Sequence, residues 1–164
     1  MQVNHLEYGL EIILFHAEAS IVQDILKRIL HNYQIPPQEH HDSVQAVWYP
    51  NAIEESYDYD DGYALKSLHS DLQEYRSQNA DLVKKWISCF DRKDEPVLWL
   101  VKEEDIDSLL TVINDHRLYL AADNKLTEEE LEQHLEEIED PKLRSNLIEI
   151  HFLAWLIELI LSNR

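Results

Sequence analysis

Only two glycines, Gly9 and Gly62, occur in the 164 residues of this chain. A fold built on many tight turns, or on a loop cradling phosphate, needs backbone conformations that glycine supplies most cheaply. So glycine-poor a chain is predicted to be mostly helical, with few elaborate connections. Apolar spacing agrees. Ile21, Val22, Ile25, Leu26, Ile29, Leu30 and Tyr33 form one helical stripe, while Asp24, Lys27 and Arg28 point away from it. Ile35-Pro36-Pro37 ends that helix, because proline offers no N–H and crowds the preceding turn.

Residues 36–61 read as a long connection with a helical turn near residues 52–55. Its end, Asp58-Tyr59-Asp60-Asp61-Gly62, offers N-cap side chains to a long helix. In that helix Leu65, Leu68, Leu72, Tyr75, Asn79, Leu82 and Trp86 recur at steps of three and four, a seam for a neighbouring helix or a twin subunit. Glu103, Glu104 and Asp105 suit the start of a helix reaching about Ala122. Thr127 with Glu130 makes a capping box, and Asp140-Pro141 opens the last helix. That last helix is apolar on more than one face from 148 to 161, so it is expected at the centre of the fold, the other reading being a helix shared between subunits. Two apolar runs, 10–15 and 97–101, are short enough to pair as a minor two-stranded element. The fold expected is therefore mainly α: a single helical domain over 1–164, a bundle of about five helices.

Charge narrows the partners. Thirty-three acidic residues against fourteen basic ones leave a formal charge of −19. Nucleic-acid binding runs on Lys and Arg displacing counterions, and anionic membranes repel a polyanion equally, so neither partner is expected. Single Cys89 excludes an internal disulfide and fits a reducing compartment. The first residues lack the basic segment of a secretory signal, and the apolar stretch 148–161 is interrupted by Glu149, His151 and Glu158 and is short for a bilayer span. A cytoplasmic protein is the expectation.

No spacing for familiar chemistry emerges. None of the nine histidines has Glu three residues before it, and no His pair stands at i, i+3 or i, i+4, so neither a di-iron nor a zinc-protease helix is present. His134 with Glu130 and Glu137 is better read as a solvated acidic face, and His40-His41-Asp42 as surface residues. Asp58, Asp60 and Asp61 fail as a calcium loop, since its glycine and glutamate positions hold Tyr63 and His69. Cys89, among Trp86, Ile87 and Phe90, reads as a small core residue. No catalytic residue, metal site or cofactor is expected. Asn114 and Arg117 stand out: helical spacing sets Asn114 in line with Leu110 and Leu118, and Arg117 between Ile113 and Ala121. A guanidinium on an apolar stripe needs an anion, either a carboxylate of the last helix or a group from a ligand or partner.

Three segments also resemble a known family. Trp48-Tyr49-Pro50-Asn51-Ala52, running on to Tyr57, is similar to a Leu-x-Pro-x-Ala-Tyr-like segment before a long helix. Asn114-Asp115-His116-Arg117-Leu118, then Leu126-Thr127-Glu128-Glu129, resembles an Asn-Asp-x-Arg-Leu helix and its acidic sequel. Leu153-Ala154-Trp155-Leu156 with Leu159 resembles a closing Trp-Leu-x-x-Leu. These belong to a bacterial, mainly actinobacterial, domain-of-unknown-function family, and the likeness covers most of the chain. Departures fall at Ala121-Ala122-Asp123, where relatives carry Gly-Thr-Arg, and near Ala64-Leu65-Lys66, where they carry Phe-Arg. Members are often encoded near the adaptor of the Clp protease, so the resemblance implies a setting in protein turnover and no particular reaction. The function expected is a non-enzymatic interaction or regulatory module with a protein partner, compatible with a homodimer. The alternative is a small-anion or metabolite binder, conceivably an enzyme, centred on Asn114 and Arg117.

Overall fold

A computed structural model describes residues 1–49, 61–91 and 96–163. Strands β1 (Gln2–Leu6) and β2 (Gly9–Leu14) form a hairpin, followed by helices α1 (His16–Gln34), α2 (Asp42–Trp48) and α3 (Asp61–Ser88). Strand β3 (Val97–Lys102) then leads into α4 (Ile106–Asp123), the short α5 (Glu128–Glu132) and α6 (Pro141–Ser162). The fold is mainly helical, as expected, with six α-helices among the described residues.

The sheet is larger than the two-stranded element expected. Runs 10–15 and 97–101 do supply an antiparallel pair, with Leu10 opposite Val101, Ile12 opposite Trp99 and Leu14 opposite Val97. A third strand, β1, pairs with the far edge of β2. Gln2, Asn4 and His5 are exposed on it and only Val3 is buried, so it carries little apolar signal of its own. Pairing with β2 is what makes it a strand.

Alternation places Val3, Leu10, Ile12, Leu14, Trp99 and Val101 on one face of the sheet. They meet Val22, Ile25, Leu26 and Ile29 of α1, Val83 and Trp86 of α3, the inward side of α4, and Leu153, Leu156 and Ile160 of α6. A second, smaller core gathers Val44, Trp48 and Tyr49 against Tyr33, Leu72 and Tyr119. Helix α2 lies in the stretch expected to be a connection, and it exists to insert Val44 and Trp48 into this second core. The expected turn at residues 52–55 and the caps at 58 and 60 lie outside the described residues.

Helix ends follow local chemistry. The Thr127 hydroxyl accepts from the Glu130 N–H at 3.2 Å and the Glu130 carboxylate accepts from the Thr127 N–H at 2.8 Å. The Asp140 carboxylate accepts from the Lys142 N–H at 2.9 Å with Pro141 behind it. Gly9 explains its own identity: its φ is +138°, and a Cβ there would run into the carbonyl of Val101 and the backbone of Lys102 and Glu103. Gly9→Ala is expected to cost about 2 kcal/mol or more, read as a lower urea midpoint at unchanged slope. An unchanged midpoint would contradict this close approach of β2 to β3.

Candidate functional site

Two polar centres are built around α4, and both use residues next to those the sequence singled out. Asp115 and His116 are buried, whereas Asn114 is exposed and Arg117 is half-buried. The inward side of α4 is Ile106, Leu109, Val112, Ile113, Asp115, His116 and Leu120, so the helix is rotated from the phase that Leu110 and Leu118 define. Leu118 itself faces solvent. The Arg117 Nε is buried without a hydrogen-bond partner among the described residues.

The first centre joins four helical segments. The Tyr33 hydroxyl of α1 donates to Asp115 Oδ2 at 2.9 Å, and Trp48 Nε1 at the end of α2 donates to the Asp115 carbonyl at 3.2 Å. Arg76 of α3 places its Nε 3.6 Å from the same carboxylate oxygen. Its guanidinium lies over two rings, 4.7 Å from the Trp48 centroid and 4.9 Å from that of Tyr49. Arg76 is only 7 % exposed. Cation and ring faces are both desolvated here, the setting in which such contacts contribute most. Among the described residues, Arg76 Nε and Nη1 and Asn79 Nδ2, one turn along α3, are buried without hydrogen-bond partners. Burial raises the Asp115 carboxyl above its ordinary value despite the opposing pull of Arg76 and Tyr33. Burial and the adjacent Asp115 push the Tyr33 phenol well up. His40 is buried too, its ring edge-on to Trp48 at 5.2 Å and to Tyr119 at 5.9 Å, where burial and Arg76 hold it low. His40 is thus a core residue of this centre, a correction to its reading as a surface histidine; exposed His41 pairs with Asp123 at 2.8 Å.

The second centre is an acid shared by two bases. Glu149 of α6 lies 2.8 Å from His116 Nε2 and 2.7 Å from Arg28 Nη2 of α1. The carboxylate of the last helix expected to clamp α4 is therefore present, and it meets His116 in place of Arg117. Burial pushes Glu149 up, but the His116 hydrogen bond and the two neighbouring charges outweigh it and leave the group below its ordinary 4.5. A lowered carboxylate stabilises the fold above its unfolded value, and that contribution is lost as pH falls through the folded value. Glu149→Gln is accordingly expected to lower stability at pH 7, with the gap from the parent closing below about pH 4. Urea midpoints of both proteins from pH 7 to pH 3 measure this; a constant gap would contradict it.

Sequence reasoning missed Arg76 because Tyr75 drew the seam of α3 to the wrong side. Tyr75 is exposed, and the inward residues are Arg76, Asn79, Ala80, Val83 and Trp86. The signal was there: Leu72, Arg76, Asn79, Val83 and Trp86 also step by four and three. Among the described residues no three His, Cys, Asp or Glu side chains converge as metal ligands. Cys89 is a half-buried free thiol.

The other notable surface is α6. It is 22 residues long and, among the described residues, the one helix long and apolar enough to cross a membrane by length and composition. Its Leu147, Ile150, Leu153, Leu156 and Ile160 are buried. The opposite side is not. Ile148 and Trp155 are 49 % and 45 % exposed, which corrects the expectation of a central helix.

A family model described as a domain of unknown function, DUF2017, matches residues 17–163. No curated protein and no solved structure matches the chain.

Proposed function

The chain belongs to the DUF2017 family, and we propose that it is a non-enzymatic interaction module that presents the outward side of α6 to a protein partner. The observation that carries this reading is the exposure of Ile148 and Trp155 on a helix whose other side is seated in the core. Half-buried Phe152 and Leu159 join them into one apolar stripe, and contiguous exposed apolar surface marks interaction sites. The two polar centres support a scaffolding role for α4: Asp115 and His116 spend their chemistry tying helices together. Nucleic acid and anionic membrane remain poor partners at a charge of −19, and the cytoplasm is the compartment this reading assumes. Protein turnover is the setting that the family resemblance adds.

A variant carrying Ile148→Asp and Trp155→Asp tests the reading. Both positions are half-exposed, so the melting temperature is expected to stay within a few degrees of the parent. Proteins recovered with the tagged parent from its own cell extract are expected to be absent with the variant. Identical recovery from both would remove α6 as the partner surface. The buried Arg117 Nε, without a hydrogen-bond partner among the described residues, favours a second reading, a small-anion site with Asn114 beside it. It predicts that Arg117→Ala stays folded and abolishes phosphate-induced stabilisation of the parent; a parent that phosphate does not stabilise rules it out.

A further inference from the structure

The outward side of α6 has a regular pattern. Arg144, Ile148, His151, Trp155, Glu158 and Ser162 are all exposed and follow one another at intervals of four and three. That is the spacing of a helix-packing seam, and here it faces away from the core. Within it the apolar stripe is Ile148, Phe152, Trp155 and Leu159, again at steps of four and three, two exposed and two half-buried, bordered by the polar Arg144, His151, Glu158 and Ser162. From Arg144 to Ser162 it runs about 27 Å, the length of a five-turn helix.

Beside this seam lies a strongly acidic border. Glu132 and Glu136 line a groove together with His134 and with His151 of the seam. Glu128, Glu129, Glu139 and Asp140 are exposed in the same stretch, and no Lys or Arg occurs between Lys125 and Lys142. An apolar stripe with an acidic border beside it selects its occupant by charge as well as by shape. A second copy of the chain would bring its own acidic border and a further charge of −19. An anionic lipid surface meets the same repulsion. We propose that the seam docks an amphipathic helix of a partner protein, apolar along one face and carrying Lys or Arg along the flank that meets Glu132 and Glu136. This rests on α6 being the partner surface.

Trp155 reports its own occupancy. Of the four tryptophans, Trp48, Trp86 and Trp99 are buried and Trp155 is 45 % exposed, so a covered seam shifts the emission of one indole. The probe is a synthetic 18-residue helix with leucines at three- and four-residue steps and lysines along its flank. The first control peptide replaces its lysines with glutamates, and the second keeps the composition but scrambles the leucines so that no apolar face forms. Only the first peptide is expected to give a saturable blue shift. With a labelled peptide, its affinity is expected to fall at least tenfold in Ile148→Asp and at least tenfold in the double variant Glu132→Lys, Glu136→Lys. Circular dichroism checks that these exposed substitutions leave the fold intact.

Equal binding of the scrambled peptide, or unchanged affinity in either variant, overturns the proposal. So does a blue shift that grows with protein concentration alone, which assigns the seam to a second copy. A shift on vesicles of phosphatidylcholine and phosphatidylglycerol assigns it to lipid and overturns the proposal equally. Acrylamide quenching of the free protein separates this inference from the reading beneath it. A quenched Trp155 with no peptide binding removes the basic helix alone; a shielded Trp155 in a monomer removes α6 as a partner surface altogether.

Discussion

Arg76→Ala is expected to lose about 3–5 kcal/mol of stability at pH 7, because it strands a buried carboxylate. Among the described residues the Asp115 carboxylate then keeps the Tyr33 hydroxyl alone, and Trp48 and Tyr49 lose the cation that lies over their rings. In a domain of this size that loss corresponds to a fall in melting temperature of about 10 °C or more. The pH dependence identifies the cause. Burial already raises Asp115, and removing Arg76 raises it further. A carboxyl raised by folding contributes stability below its unfolded value and loses it as pH climbs through the folded value. The penalty of Arg76→Ala is therefore greatest at neutral pH and shrinks as pH falls through the raised value at which the buried Asp115 takes up its proton. Adding Asp115→Asn should recover part of the loss at pH 7, since a neutral amide costs less to bury than an unpaired carboxylate. A penalty independent of pH, or purely additive effects in the double variant, would show that the pair is not coupled.

Trp99→Ala is expected to cost about 3–5 kcal/mol, and Trp99→Phe far less. Trp99 is 1 % exposed on the inner face of β3, its ring 5.9 Å from Trp86 and 5.7 Å from Phe90. It is the side chain through which the sheet meets the C-terminal end of α3, so alanine opens a cavity at the junction of two layers. Phenylalanine keeps most of the ring contact and also removes an indole N–H that is buried without a partner among the described residues. Leaving such a donor unsatisfied costs about 1–3 kcal/mol, which offsets much of the lost volume. Urea unfolding of the two variants decides this, and equal losses for Ala and Phe would contradict it.

What the chain revealed about its fold was local, and what it concealed was not. The stop at Pro36, the capping box at Thr127 and Glu130, and the start at Asp140-Pro141 are set by neighbours within a turn, so the residues alone disclose them. The pairing of 10–15 with 97–101 follows from two short apolar runs seeking a partner. Strand β1 stayed hidden because Gln2, Asn4 and His5 carry no apolar pattern. The polar centres were hidden for a related reason. Asp115 finds Tyr33 across 82 positions of the chain, and His116 finds Glu149 across 33. Apolar spacing fixes the phase of a helix only when outward leucines are scarce, and α4 carries an exposed Leu118 that pulls the apparent stripe toward Asn114 and Arg117. The reading of α6 failed in the opposite sense. An all-round apolar helix implied a central place, while the neighbouring elements cover only one side of it.

Hydroxyl-radical footprinting of the isolated protein, read at its four tryptophans, puts the exposed seam of α6 to the most direct test. Trp155 is predicted to be oxidised rapidly while Trp48, Trp86 and Trp99 stay protected until the protein unfolds. Protection of Trp155 to the same degree as the other three would mean that the chain covers its own last helix, and the interaction surface assigned to it would not exist.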